Sequence, residues 1–382
     1  MAKAGYQGRG PLVGCLLLSG TLGTVHAWSI FLEPLESRLD AGRGTISAAY
    51  SVALVAITMA VLLGHRLFSR LPGWSVVGLA VGGSVAGLLI TAAATSWSLL
   101  LLGYGVVFGL ANGLGYAFAL QRSAEAIPES ASSALGLTTA AYALGAALAA
   151  ILLDGPIRDH GPTHGLRLLA LFIGLAGLVT AWLVGPERSA SVIGRESPLT
   201  DWRALRGLWT SYGLAVLAGL MILGHAAAIV NEAGGSGGTT VAMAGFANAT
   251  GGVWMSRVRR STRSRLLVAL PATTAAALVL GGFGLHGGGG TMALAVVATV
   301  ALAYGAIIAL YPAVVHDRYG LDGYPSVYGW IFTAWGAAGL IGPVGAGLLF
   351  EAVNAYRVPI LLAAVAAAAS GVIAGRCNTQ SP

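Results

Sequence analysis

Charge is scarce in this chain. Asp, Glu, Lys and Arg make up 9% of its 382 residues, against roughly 25% in an ordinary soluble domain. A soluble fold that covers itself with charge is therefore excluded. Cysteine is nearly absent, and Cys15 and Cys377 give neither a disulfide framework nor a metal site. Catalytic signatures are missing too. The sequence has no HExxH, no CxxC, no Walker motif and no nucleophile elbow, which needs a strand before it. No enzymatic chemistry, cofactor or metal is expected.

What fills the chain is apolar. Hydrophobic residues make up 56% of it, and mean hydropathy is +0.78. In lipid the backbone must satisfy its own hydrogen bonds, so long apolar runs are helices. Twelve runs long enough to cross the membrane are expected, at about 11–34, 45–64, 74–93, 97–120, 132–153, 166–184, 208–230, 238–256, 266–285, 291–313, 325–349 and 357–375. The first is too long to be a cleaved signal. The fold class is all-α integral membrane, with twelve transmembrane helices.

An even count puts both termini on one side. Of the 21 Lys and Arg, only Arg38, Arg43, Arg158, Arg167 and Arg357 fall on the other side. That bias places the termini in the cytoplasm of a multi-pass plasma or inner membrane protein. The net charge of +7 and pI near 9.7 then report orientation in a bilayer. Nucleic acid is not an expected partner, because no soluble basic face exists.

The organisation is six plus six: a first half over 1–185, a cytoplasmic linker over 186–207 and a second half over 208–382. Within the linker, Ser197–Pro198 reads as the cap and first turn of a short surface helix. The halves echo each other. HAWSIFLE, from His26 to Glu33, opens the first; HAAAIVNE, from His225 to Glu232, opens the second. On a continuous helix, seven residues make two turns, which puts each His and Glu on one face. Two six-helix repeats around a midplane site are the layout of a secondary transporter.

Four stretches narrow this further: HAWSIFLEPL in segment one, GLANGLGYAFAL in four, GLMILGHAAAIVNEAG in seven and VYGWIFTAWGAAGLIGP in eleven. Together they resemble the major facilitator superfamily, and within it the oxalate/formate antiporter and monocarboxylate porter branch. The resemblance spans both halves. It implies alternating access between rocking six-helix units. It also exposes departures. Oxalate carriers of that branch hold the dianion with an arginine in segment eight and a lysine in segment eleven; the matching positions here are Gly252 and Trp335. A dianion without paired positive charge in a low-dielectric cavity costs several kcal/mol per charge, so oxalate is not the expected cargo. The superfamily's gating loop places an aspartate before its arginine. Here Ser69 precedes Arg70, and Ser256 precedes Arg257. Arg70 and Arg257 remain the gating candidates, without that acid.

His26 and His225 are the ionisable groups expected well inside segments one and seven. Either could hold a carboxylate or carry a proton, because imidazole titrates near neutral pH. The competing reading is a neutral ring bonded to a neighbouring helix. His225 is the proton-coupling candidate. Trp28, Tyr50, Tyr116, Tyr142, Asn248, Tyr328 and Trp335 complete the expected binding set, since aromatic faces with a few donors suit a small, partly apolar solute. Packing is the alternative for each aromatic, while Asn248 needs an amide partner in mid-helix. Glu33 and Glu232 are expected as rim charges, and Arg122 as a cytoplasmic anchor. Gly105, Gly109 and Gly113, and Gly336, Gly339, Gly342 and Gly345, are expected to let helices approach closely.

The sequence thus reads as a monomeric secondary active transporter in the lipid bilayer. Its expected partners are a small organic solute, most plausibly a monocarboxylate, and a proton. Two alternatives stay open: an efflux carrier for a hydrophobic or weakly charged compound, and a membrane sensor that has lost transport.

Overall fold

The computed structural model describes residues 9–68, 70–127, 131–188, 202–284 and 289–379. Ser69 and the Ser197–Pro198 cap lie outside them, as does most of the linker. Fourteen α-helices follow one another, with no strand among the described residues. The first half holds α1 (Arg9–Leu22), α2 (Ser29–Leu39), α3 (Arg43–Phe68), α4 (Gly73–Ala92), α5 (Trp97–Leu100), α6 (Gly109–Ala126), α7 (Ala131–His160) and α8 (Pro162–Val184). The second holds α9 (Trp202–Leu223), α10 (Ala226–Glu232), α11 (Gly237–Ser256), α12 (Arg260–Gly284), α13 (Gly290–Val353) and α14 (Arg357–Thr379).

Eleven of the described helical spans are long and apolar enough to cross a membrane. The expected twelfth, segment eight, is α11. Its 20 residues suffice in length, but Thr239, Thr240, Asn248 and Thr250 make it less apolar. It packs between α7 and α13, where polar groups meet protein.

Segments one and seven depart from continuous helices. The first is α1, a 3-10 stretch over Gly23–Ala27, then α2. The seventh breaks at Gly224 and His225 between α9 and α10. Each break falls at the histidine of its octad, so the two-turn spacing does not hold. Segment four runs from α5 through a π-helical stretch over Leu101–Phe108 into α6. Between segments five and six the expected loop shrinks to Gly161, whose φ of 81° suits glycine; Pro156 stays inside α7.

Segments ten and eleven run helically through all 64 residues of α13. A straight helix of that length would be about 96 Å long. Instead it doubles back, because Trp335 Nε1 on the second limb donates to the Tyr304 hydroxyl on the first at 2.9 Å.

The halves meet along two seams, α3 against α13 and α7 against α11. Small residues permit both. Gly336 and Gly339 face Thr58 and Leu54, and Gly347 faces Gly44. Gly342 turns instead to Leu220 and Met221 of α9, and Gly345 meets nothing within 4 Å. Three residues sweep only about 300° of helix, so the stripe precesses away from one face. Gly105, Gly109 and Gly113 do share a face, against Ala49, Ala53 and Ile57 of α3.

Candidate functional site

Breaking a helix leaves carbonyls without partners, and each must be satisfied inside the membrane. At the first break other helices supply the donors. Asn112 of α6 donates to the Leu22 carbonyl at 2.7 Å, and the Tyr104 hydroxyl donates to Val25 at 3.2 Å. Tyr142 of α7 donates to Asn112 Oδ1 at 2.8 Å, locking the amide's orientation. Gly23 allows this, since a Cβ there would collide with the Tyr142 backbone.

Around that knot the structure gathers the five candidates of the first half. His26 Nδ1 lies 2.8 Å from the Tyr50 hydroxyl, and its ring meets Tyr142 edge-on at 5.4 Å. Trp28 stacks on Tyr50 at 5.9 Å, and Tyr116 packs on Tyr142 at 4.4 Å. Beside them, Trp28 Nε1 and Ser29 Oγ are buried donors with no hydrogen-bond partner among the described residues. Such groups are costly unless something fills them.

The second break is built differently. His225 is fully buried. Its Nε2 lies 2.8 Å from the Pro343 carbonyl and 3.4 Å from Ser47 Oγ. A carbonyl only accepts, so Nε2 carries the hydrogen, and Nδ1 of the neutral ring accepts from the Tyr356 hydroxyl at 2.9 Å. The tyrosine oxygen in turn accepts from Arg43 Nη1 at 3.0 Å. Arg43 grips Glu36 with Nε at 2.6 Å and Nη2 at 2.9 Å, lies 3.7 Å from Glu33 and covers the Phe350 ring at 4.2 Å. Gly44 N donates to Glu351 at 2.8 Å, and Asn231 to Glu33 at 3.2 Å. Glu33 therefore belongs to a junction between the halves. Burial pushes the Glu232 carboxyl up, against the pull of Arg43.

The other candidates of the second half gather on α11 and α13. Trp335 stacks on Phe332 at 5.3 Å, and Tyr328 tilts against Phe332 at 5.8 Å. Asn248 faces Gly305 on the first limb of α13, where a Cβ would strike its backbone carbonyl. Gly252 is buried near the Gly305 carbonyl. Tyr304 on the first limb of α13 accepts from Trp335 Nε1 at 2.9 Å. His26 and His225 are thus not one cluster; each has its own tyrosine partner.

At the opposite end Arg70 and Arg257 are both exposed. Arg122 differs from its expected role, being fully buried and paired with Glu187 at 2.9 Å and Glu125 at 3.6 Å. A cavity of about 560 Å³ between α12 and α14, lined by Val268, Ala272 and Gly371, touches none of the candidates.

Asn112, Tyr104, Tyr304, Tyr356 and Arg43 were not foreseen. Asn112 carried a readable signal, an amide in mid-helix, the reason that singled out Asn248. The rest are pairings between segments that no local pattern announces.

The sequence pattern of the Major Facilitator Superfamily matches residues 12–343. The uncharacterized MFS-type transporter YhjX of Escherichia coli (strain K12) is 23% identical over 347 residues, covering 85% of this chain and 84% of the relative. Solved structures share the fold. The human organic anion transporter MFSD10 (TETRAN) has a TM-score of 0.70 at 16% identity, covering 96% of this chain and 100% of that one. A mutant of the nucleoside transporter NupG has a TM-score of 0.74 at 10% identity, covering 96% and 99%. A bacterial homolog of the human lysosomal transporter Spinster, inward-facing and unoccupied, has a TM-score of 0.67 at 17% identity, covering 97% and 98%. With its paired helix breaks and two seams between six-helix halves, this chain belongs to the major facilitator superfamily and is a multi-pass membrane transporter.

Proposed function

We propose that this transporter carries a small monocarboxylate together with a proton, as a monomer whose termini lie in the cytoplasm. The halves 1–185 and 208–382 rock about the aromatic region between them. The reading rests on one observation above others: Trp28 Nε1 and Ser29 Oγ, beside His26, are buried donors without acceptors among the described residues. A carboxylate offers only acceptors, so it suits them. Tyr50, Tyr116, Tyr142, Asn248, Tyr328 and Trp335 supply the remaining walls. One charge is held by neutral donors more readily than two. His225 is the proton carrier, with a ring already linked by hydrogen bonds to the outer rim. Glycine and tryptophan in place of the branch's two cations argue against a dianion.

A second reading is efflux of a hydrophobic or weakly charged compound. Trp335 favours it, since it fills the lysine's place with a ring stacked on Phe332. Uptake of labelled monocarboxylates into proteoliposomes under an imposed pH gradient separates the two. Gradient-driven accumulation supports the first reading; failure of every monocarboxylate, with transport of an uncharged aromatic solute, supports the second.

A further inference from the structure

The outer junction and the buried histidine share a hydroxyl. Tyr356 accepts from Arg43 Nη1 at 3.0 Å and donates to His225 Nδ1 at 2.9 Å. Arg43 sits on α3 in the first half, while Tyr356 and His225 sit in the second, so this hydrogen bond exists only while the two halves meet. We propose that Arg43 is a positioning residue for His225, acting through the Tyr356 hydroxyl to hold the ring neutral until the outer junction parts. This rests on the reading of His225 as the proton carrier.

The chemistry follows from what each group can give. A proton arriving from solvent must bind His225 at Nδ1, because Nε2 already carries a hydrogen towards Pro343. Nδ1 then becomes a donor and needs the tyrosine oxygen as acceptor. In the closed junction that oxygen would have to turn its own hydrogen away from Nδ1 and accept from Arg43 and Nδ1 at once, beside a fixed charge that repels an imidazolium. When the halves separate, Arg43 leaves with α3. The oxygen is freed, and the ring can take the proton. The groups around the pair bear on the same balance. Glu33 and Glu36 on α2, Glu232 on α10 and Glu351 on α13 lie about Arg43. Arg43 bonds Glu36 bidentately, which offsets part of its charge, while one Nη1 hydrogen stays with Tyr356.

The test is direct titration of the ring in the full chain, in lipid nanodiscs. The protein carries nitrogen-labelled histidine, and the His225 signal is assigned by its loss in His225→Gln. Tyr356→Phe, Arg43→Gln and the double variant are compared. Arg43→Gln should raise the ring's titration midpoint by about one pH unit, a tenfold change in its ionisation constant. In the Tyr356→Phe background the same substitution should shift it much less. Equal shifts with and without the hydroxyl would overturn the proposal, since Arg43 would then act as a bare charge. No shift at all would overturn it as well. Should Arg43→Gln not fold, Arg43→Lys cannot hold Glu36 bidentately and reach Tyr356 together, so an upward shift is expected and an unmoved midpoint contradicts the proposal. The shifts with unchanged pH dependence of uptake in His225→Gln would keep the positioning role and remove the proton reading. Lost pH-driven uptake in His225→Gln without the shifts would do the reverse.

Discussion

Asn231 of the second octad donates its amide to the Glu33 carboxylate of the first at 3.2 Å. The repeated pattern is thus more than an echo, because its two copies touch where the halves meet. Joining Glu33→Cys to Asn231→Cys with a short bifunctional thiol reagent should hold the outer junction shut and abolish uptake. Each single variant, treated with the same reagent, should stay far more active than the joined protein. Full uptake in the joined protein would mean that this junction does not part during transport.

Asn112 ties the break in segment one to α7. It satisfies the Leu22 carbonyl and is itself satisfied by Tyr142. Asn112→Ala leaves both buried and unpaired, at a cost on the order of 1–3 kcal/mol. Thermal unfolding in detergent should show it. Thr299→Val, whose hydroxyl donates to the Ala295 carbonyl of its own helix at an exposed site, should change stability far less. Equal melting temperatures for the two would show that the break needs no cap.

Much of this architecture was legible because hydropathy is a local signal. Each apolar run announces a span by its own length, and twelve read as such. The described helices bear out eleven as long and apolar enough, while segment eight forms its 20-residue helix with threonines and Asn248 that lower its hydropathy. The helix breaks were not legible. Gly23 and Gly224 are two of 57 glycines, and what marks them is the donor or packing partner another helix brings. Arg43 read only as one of five charges on the outer side. Its partner Tyr356 lies 313 residues away, a distance no spacing rule bridges. The aromatic candidates of the first half were named one by one, yet their common centre, the knot of Leu22, Asn112 and Tyr142, emerges only from packing.

The proposed orientation, with both termini in the cytoplasm, is open to direct labelling. Cysteine at His160, exposed at the end of α7, should react with an impermeant reagent from outside. Cysteine at Arg260 should react only after permeabilisation. The reverse pattern would invert the whole assignment.

Oxalate should be neither exchanged nor protective against heat at millimolar concentration, whereas at least one monocarboxylate should be both. By the resemblance to the oxalate/formate branch, Gly252 and Trp335 take the places of its two cations, and Trp335 donates to Tyr304. A ligand that binds the folded state raises its melting temperature. Robust oxalate exchange would require a cation from elsewhere in the chain.

The most direct test of proton coupling through His225 is uphill monocarboxylate uptake at about pH 6 and about pH 8, where imidazole changes charge, in His225→Gln and His26→Gln. Glutamine keeps hydrogen bonding but removes the charge change. The account predicts that His225→Gln still binds and exchanges solute but no longer accumulates it in response to pH, while His26→Gln keeps its pH dependence. Unchanged pH-driven accumulation in His225→Gln would contradict it, leaving both histidines as helix contacts worth about 0.6 kcal/mol each.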